Sequence, residues 1–282
     1  MDIKIDRLPL HSSIIHFNMA PRVSISVLVV AWVLAAGFVA ASESSAALEL
    51  EAKAVLESEW WSGYSNQSHC HWDGIKCNDE GSVTEIKMGG VNLGDKFRKF
   101  KFSSFPNLVH RELNQTGLRG SISLGIGTLS KLTHLDLSEN DLTGYLPLSL
   151  TNLTHLVFLD ISTNLITGFI PKELGNLKNL RWLCLSYNKF SGQIPSSLGH
   201  LTKLFYLSLA SNQINRSILL EIGNMKNLEY LYLYNNKFTG PIPSSLGHLT
   251  NLASLYLDSN QISGTIPPEI GHLTNMETLN LI

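Results

Sequence analysis

Apolar residues recur at a fixed interval of 24 residues through the C-terminal two thirds of the chain. One column of leucines is followed, two residues later, by a second apolar column. Side chains alternate along a strand, so both columns are predicted to face the interior. The columns are Leu135, Leu159, Leu183, Leu207, Leu231, Leu255 and Leu279, and Leu137, Ile161, Leu185, Leu209, Leu233, Leu257 and Leu281. The fixed period predicts a solenoid, in which each coil buries its apolar face against its neighbours.

An asparagine stands three residues after each of the first six members of the second column: Asn140, Asn164, Asn188, Asn212, Asn236 and Asn260. The pattern L-x-x-L-x-L-x-x-N, with a period of about 20–29 residues, is typical of leucine-rich repeats. An amide carries both donors and an acceptor. Each asparagine is therefore predicted to satisfy backbone groups of its own coil and of the next one. Thr116 stands one period before Asn140, which predicts a looser coil there.

The period divides the chain into segments. They are 43–107, an N-terminal cap with an irregular first repeat; 108–275, seven 24-residue repeats; and 276–282, an incomplete eighth repeat. The eighth repeat stops just after its strand leucines. We therefore expect the product to be truncated before further segments.

Residues 1–42 are predicted to be a secretory signal peptide, because an uncharged apolar run over 23–41 follows Arg22 and precedes small residues. A signal anchor is the alternative for this run, and Met19 is a candidate start. The secretory route gives meaning to four N-x-[ST] sequons as glycosylation sites: Asn66, Asn114, Asn152 and Asn215. The predicted location is the secretory pathway, ending at the plasma membrane or in the extracellular space and cell wall.

The cap segment combines a predicted short helix over 47–61, a first strand over 83–88 and two cysteines. In a secreted chain Cys70 and Cys77 are predicted to form a disulfide rather than half of a zinc site. A cap is needed because the first coil of a solenoid has no neighbour on one side. The cover is expected from Trp60, Trp61 and Trp72.

Three stretches depart from the regular pattern. The basic segment 89–104 is predicted to be a solvated loop rather than an interaction patch. Arg111 occupies an inward leucine position, and burying an unpaired charge is costly. We expect its side chain to extend to solvent, or the first repeat to be irregular. Arg216 and Leu219 replace the glycine and proline of the fifth repeat, so that bend is predicted to differ.

Composition and motifs exclude several classes of function. The formal net charge is −2 with no basic excess, so no nucleic-acid partner is predicted. Phosphate-loop, nucleophile-elbow, zinc-protease and kinase motifs are missing from the sequence. We therefore expect no enzyme, no metal site and no cofactor. Cys184 is the third cysteine and is interpreted as a bystander thiol.

Large rings occur at the outward position just before the first apolar column and at the next outward position, between the two columns. Six of them form a diagonal across the predicted concave face: Phe158, Trp182, Tyr206, Tyr230, Tyr232 and Tyr256. With strands about 4.8 Å apart the diagonal runs roughly 20 Å, and contiguous exposed aromatics mark binding surfaces. Asp136 and Asp160 add an acidic patch at its N-terminal end. The alternative is that the rings only stack between strands and stabilise the sheet.

The element L-x-G-x-I-P recurs at 142–147, 166–171, 190–195 and 238–243, each time with one apolar position varied, and C-x-W-x-G-x-x-C spans 70–77. Over about residues 47–282 the chain resembles the extracellular part of plant leucine-rich-repeat receptor-like kinases. The resemblance implies an α/β fold: a right-handed solenoid of plant-specific 24-residue repeats with a parallel concave sheet, a second small sheet and a helix-plus-disulfide cap.

The resemblance also implies a function. The chain would be the ligand-binding ectodomain of a cell-surface receptor in signalling or defence, recognising a secreted peptide or protein, with a co-receptor kinase as possible partner. The kinase domain of that family is missing from the sequence. Membrane association would need an uncleaved signal or a missing downstream segment. The alternative is a soluble secreted inhibitor that resembles the polygalacturonase-inhibiting proteins.

Overall fold

The computed structural model describes residues 45–61 and 68–281; the predicted signal peptide and the sequon at Asn66 lie outside these ranges. Within them the chain forms a solenoid whose concave side is one ten-stranded sheet. The first two strands pair antiparallel and all later pairs are parallel. The strands are Ile75–Cys77, Val83–Lys87, His110–Glu112, His134–Asp136, Phe158–Asp160, Trp182–Cys184, Tyr206–Ser208, Tyr230–Tyr232, Ser254–Tyr256 and Thr278–Asn280.

The second sheet that the resemblance implied is present beside the first. It consists of a two-stranded part, Arg119–Ser121 and Asp141–Thr143, and a five-stranded part, Thr167–Phe169, Lys189–Gly192, Gln213–Arg216, Lys237–Gly240 and Gln261–Ile262. Short 3-10 helices complete the coils: Leu124–Thr128, Leu148–Asn152, Lys172–Asn176, Ser196–His200, Leu220–Asn224, Ser244–His248 and Pro268–His272. The predicted leucine-rich-repeat architecture is thus confirmed.

The asparagines form a continuous hydrogen-bonded ladder along the solenoid. Asn164 Nδ2 donates to two carbonyls of its own coil and to Leu137 O, 2.9 Å away in the preceding coil. Its Oδ1 accepts from Leu142 N, also in the preceding coil, at 2.9 Å. The other five asparagines repeat the pattern at the same sequence offsets. The asparagines therefore bond the preceding coil, and the expectation that they bond the next coil is wrong.

Thr116 does not loosen the first coil. Its hydroxyl donates to Leu113 O at 2.7 Å, and its backbone N–H donates to Asn140 Oδ1 at 3.1 Å. The side chain is fully buried. A threonine suffices here because it caps its own turn while Asn140 supplies the contact between coils.

The cap packs a helix against the first strands. The helix spans 45–57, shorter than predicted, and its buried Glu51 accepts from Ser82 Oγ and Val83 N at 2.6 and 2.8 Å. Cys70 and Cys77 form the predicted disulfide. The described part of the cap also contains three 3-10 helices, His69–His71, Gly94–Lys99 and Phe102–Ser104. No helix in the described ranges has the length and apolar character that a membrane span needs.

The basic segment 89–104 is not a free solvated loop. Lys99 pairs with Glu59 and Lys101 with Glu57, both at the end of the cap helix or just beyond it. Around these lysines the segment buries three phenylalanines, Phe97, Phe100 and Phe102. Buried apolar residues at irregular spacing thus pack the segment against the cap. The prediction of a solvated loop was wrong because it considered only the basic residues.

Arg111 is fully buried and does not reach solvent. Its guanidinium carbon lies 4.0–5.6 Å from the ring centroids of Trp60, Phe97, Phe100 and Phe102. None of its nitrogens has a hydrogen-bond partner among the described residues. Burial lowers the pKa of Arg111 to about 9, so the group stays charged at neutral pH. The irregular cap segment supplies an aromatic cage that replaces the expected route to water.

The bend at Arg216 has the same geometry as its neighbours. Arg216 has φ +72°, against +77° for Gly192 and +76° for Gly240 at the same position of adjacent coils. Leu219 (φ −80°, ψ 145°) likewise follows Pro195 (φ −69°, ψ 134°). The prediction of a different bend is wrong, because pairing with the coils on both sides imposes one conformation. Arg216 therefore carries left-handed strain that a glycine would not.

Arg216→Gly is expected to raise the free energy of unfolding by about 0.5–1 kcal/mol, since relief of left-handed strain outweighs the entropy that glycine gains in the unfolded chain. Urea unfolding monitored by circular dichroism measures the change. Arg119→Gly is the matched control: Arg119 is also exposed in the second sheet but lacks a positive φ. It should lose stability, and a loss for Arg216→Gly as well would contradict the strain.

Candidate ligand-binding surface

Rings on adjacent strands of the concave sheet form a continuous column, the aromatic ladder: His110, His134, Phe158, Trp182, Tyr206 and Tyr230. The rings stack from His110 to Tyr206, and Tyr230 adds a tilted contact at 6.1 Å. The strand register places these residues side by side. Trp182 and Tyr206 stack at 3.6 Å with an interplanar angle of 2°, and His134 and Phe158 stack at 4.0 Å. Each ring is half-buried. Stacking uses the ring faces between strands and leaves the outer edges open to solvent.

The predicted diagonal continues through Tyr232 and Tyr256, which occupy the outward position between the two apolar columns. Tyr232 meets Tyr206 edge-to-face at 5.5 Å and Tyr256 edge-to-face at 5.1 Å. All six rings of the predicted diagonal thus lie in one chain of contacts, and none is fully exposed. Sequence reasoning missed the two histidines that extend the ladder toward the N-terminus, although His134 occupies the same outward position.

A groove of about 500 Å³ opens at the C-terminal end of the ladder. Its walls include five tyrosines and one carboxylate: Tyr187, Tyr206, Tyr232, Tyr234, Tyr256 and Asp258. The hydroxyls of Tyr187 and Tyr234 lie 2.9 Å apart, joining coils separated by 47 residues of sequence. Trp182, Phe158 and Tyr230 lie outside its lining.

Tyr187, Tyr234 and Asp258 were not among the predicted site residues. Tyr187 directly precedes Asn188 and has φ +53°, so it belongs to a turn rather than to a strand. Alternation along strands therefore says nothing about its direction. Tyr234 and Asp258 follow the strands Tyr230–Tyr232 and Ser254–Tyr256 by two residues. Both occupy the outward position two residues after the strand, and a search of that position for aromatic and charged residues would have identified them from the sequence.

The predicted acidic patch is partly engaged by local turns. Asp136 Oδ1 accepts from the backbone N–H and hydroxyl of Ser138 at 2.9 and 2.7 Å, and Asp160 does the same with Ser162. Burial raises the pKa of Asp160 against the lowering effect of Ser162. Both carboxylates thus shape the end of their strands, and each keeps one oxygen for other contacts.

Two other titratable groups on this face are held neutral. Burial, followed by the neighbouring His110, lowers the pKa of His134 to about 4. Burial, followed by Asp160, raises the pKa of the Cys184 thiol, which contacts the Ser186 hydroxyl at 3.2 Å. Cys184 is only 5 % exposed. Although Cys184 ends the concave strand Trp182–Cys184 at an outward position, its thiol is therefore shielded from solvent.

Family models identify the repeats. A model described as leucine rich repeat matches residues 159–214 and 222–262, and a second of the same description matches 131–153. The chain is a leucine-rich-repeat protein. Comparison of this leucine-rich-repeat protein with curated protein sequences gives no significant match.

Several solved structures similar to this leucine-rich-repeat protein are ectodomains of plant receptor kinases. The Arabidopsis HAESA ectodomain in complex with an extended IDA peptide hormone is 34% identical with TM-score 0.73, over 84% of this chain and 41% of that one. The GASSHO1/SCHENGEN3 ectodomain from Arabidopsis thaliana, in complex with CASPARIAN STRIP INTEGRITY FACTOR 2, is 31% identical with TM-score 0.67, over 82% and 32%.

A further structure holds Arabidopsis HAESA with the peptide hormone IDA and the co-receptor SERK1. It is 27% identical with TM-score 0.59, over 83% of this leucine-rich-repeat protein and 49% of that chain. The leucine-rich-repeat protein therefore spans less than half the length of these ectodomains. What they share with it is the solenoid and its repeat type.

The three described sequons lie on different faces of the leucine-rich-repeat protein. Asn152 is exposed at the end of the convex 3-10 helix Leu148–Asn152. Asn215 lies in the second sheet and Asn114 follows the concave strand His110–Glu112; both are half-buried.

In the described ranges the candidate metal group is His69, Cys70 and Cys77. Its two sulfurs are bonded to each other, so they are not available as thiolate ligands.

Proposed function

We propose that this leucine-rich-repeat protein binds a secreted peptide in extended conformation across its concave sheet. It would act as the ligand-binding part of a plant cell-surface receptor-like kinase in signalling or defence. The observation that carries the proposal is the half-exposed aromatic ladder that runs into the tyrosine-lined groove. The complexes of HAESA with the IDA peptide hormone and of GASSHO1/SCHENGEN3 with CASPARIAN STRIP INTEGRITY FACTOR 2 support it by analogy.

The shape of the surface favours a chain over a compact ligand. Neighbouring strands are about 4.8 Å apart, so an extended peptide crossing them meets a new ring roughly every one to two residues. The rings already stack on each other, and fixed rings lose little side-chain entropy when a ligand covers them. The proposal assigns ligand contact to the predicted residues: Phe158, Trp182, Tyr206, Tyr230, Tyr232, Tyr256, Asp136 and Asp160.

The same proposal covers partners and location. A co-receptor kinase is the proposed second partner, since HAESA is solved with IDA and SERK1 together. The proposed route is secretion, with the predicted sequons glycosylated and the solenoid outside the cell. No catalytic step is assigned to the chain.

Selection of random 14-residue peptides displayed on phage, against the immobilised full chain, tests peptide binding. We expect enriched peptides, and calorimetry with their synthetic forms should show at least a tenfold loss of affinity in Trp182→Ala and Tyr206→Ala, about 1.4 kcal/mol or more. Their folding is checked by circular dichroism.

Tyr145→Ala is the matched control for these variants. Tyr145 is an aromatic residue that is 74 % exposed but belongs to the second sheet side of the coil, next to Gly168. It should leave affinity unchanged. Peptides that bind the ladder variants as tightly as the wild type would overturn the proposal, as would a selection that enriches nothing.

A further inference from the structure

The tyrosine-lined groove has an unusual balance of charge. Asp258 is the charged side chain among its lining residues, and the lining includes no lysine, arginine or histidine. Tyrosines and small polar residues make up the rest. The groove therefore presents acceptors and ring faces without a cation to occupy them.

The rings are arranged like the walls of a box. Tyr232 lies nearly perpendicular to Tyr206 and to Tyr256, at interplanar angles of 89° and 87°. Tyr234 is inclined by 63° to Tyr256. Each edge-to-face contact covers one face of one ring only, so the other faces of these groove-lining rings stay available to a ligand. Such faces attract a cation placed within about 6 Å of a ring centroid.

Asp258 is free to bind something other than its own turn. Its Oδ2 has one contact, with the Ser259 hydroxyl at 3.3 Å, and it forms no ion pair in the described ranges. Asp136 and Asp160, by contrast, each accept two hydrogen bonds at one oxygen from the residue two positions on. Oδ1 of Asp258 is thus open and Oδ2 holds only one long contact, so the carboxylate can pair with a guanidinium in bidentate fashion.

The phenols of the groove supply no competing negative charge. Burial raises the pKa of Tyr206, Tyr232 and Tyr234 above its ordinary value. These side chains are therefore neutral at physiological pH and act through their ring faces and hydroxyl oxygens. The one formal charge that a ligand meets in the groove is the carboxylate.

We propose that the groove is the subsite for an arginine side chain of the bound peptide, its guanidinium flanked by the rings of Tyr232 and Tyr256 and paired with Asp258. The inference rests on the proposed function, which supplies the peptide that carries the arginine. A planar, weakly hydrated guanidinium suits ring faces and a carboxylate better than an ammonium does. A volume of about 500 Å³ accommodates such a side chain with its water.

The test uses small probes, so that it does not depend on finding a peptide. Nα-acetyl-arginine amide, Nα-acetyl-lysine amide and Nα-acetyl-citrulline amide are titrated against the full chain and followed by ligand-observed NMR. Citrulline keeps the shape of arginine but has no charge. We expect the arginine probe to bind at least fivefold more tightly than the lysine probe and at least tenfold more tightly than the citrulline probe.

Asp258→Asn should weaken the arginine probe at least fivefold. Asp141→Asn, the same substitution at an exposed position of the second sheet and outside the groove, should leave it unchanged. Equal binding of arginine and citrulline, or an unaffected Asp258→Asn, would overturn the subsite even if phage selection finds peptides. Lysine binding as tightly as arginine would also contradict it. A subsite that binds arginine while selection yields no peptide would leave the subsite standing and defeat the proposed function.

Discussion

Replacing Asn164 by alanine is expected to lower the free energy of unfolding by about 3 kcal/mol, because one buried backbone donor loses its acceptor and three carbonyls lose a donor. The donor is Leu142 N, which bonds only to Asn164 Oδ1. The carbonyls of Leu137, Ile161 and Ser162 each keep a second donor, so their loss is smaller. Urea unfolding followed by circular dichroism measures the change.

Asn251→Ala is the matched control for the ladder. Asn251 also donates its Nδ2 to a carbonyl of the preceding coil, Lys226 O at 3.0 Å, but it does so at an exposed position. Its replacement should cost less than about 1 kcal/mol, because water takes over the exposed carbonyl. If the two variants lost equal stability, the buried ladder would not be what holds adjacent coils in register.

The repeating part of this fold was predictable because every coil solves the same packing problem. Leu183 and Leu185 are buried for the same reason as Leu159 and Ile161, so the period alone assigns their direction. The direction of the asparagine bonds was not predictable in the same way. An asparagine side chain can reach the preceding or the following coil. Which one it bonds depends on the twist and stagger of the coils, and the repeat spacing in the sequence does not specify these.

Single departures from the repeat were harder to interpret, since each depends on its surroundings. Arg216 suggests a different bend, yet it adopts the glycine conformation because its strand, Gln213–Arg216, pairs with the strands of both neighbouring coils. The groove was half predicted: Tyr206, Tyr232 and Tyr256 lie on strands, where alternation applies. Tyr187, by contrast, has a left-handed backbone conformation in a turn. Its side chain contacts Tyr234 two coils away, so no local sequence pattern predicts that Tyr187 lines the groove.

Arg111→Lys is expected to lower the free energy of unfolding by about 3 kcal/mol, whereas Arg111→Leu should change it by less than about 1.5 kcal/mol. The guanidinium is flat and lies 4.0 Å from the centroid of Phe100 and 4.7 Å from that of Phe102. An ammonium has the same charge but stronger hydration, so it pays more on burial and stacks less well. Leucine removes the charge together with its attraction to the rings.

A double-mutant cycle separates the attraction from simple packing. Phe100→Leu is made in the wild type and together with Arg111→Leu, and urea unfolding gives the four stabilities. We expect a coupling of about 1–2 kcal/mol, because a desolvated cation over an aromatic face is worth about that much. A coupling near zero would mean that the cage merely encloses Arg111. A lysine tolerated as well as arginine would likewise show that the flat guanidinium is not what fits the irregular cap to the first regular coil.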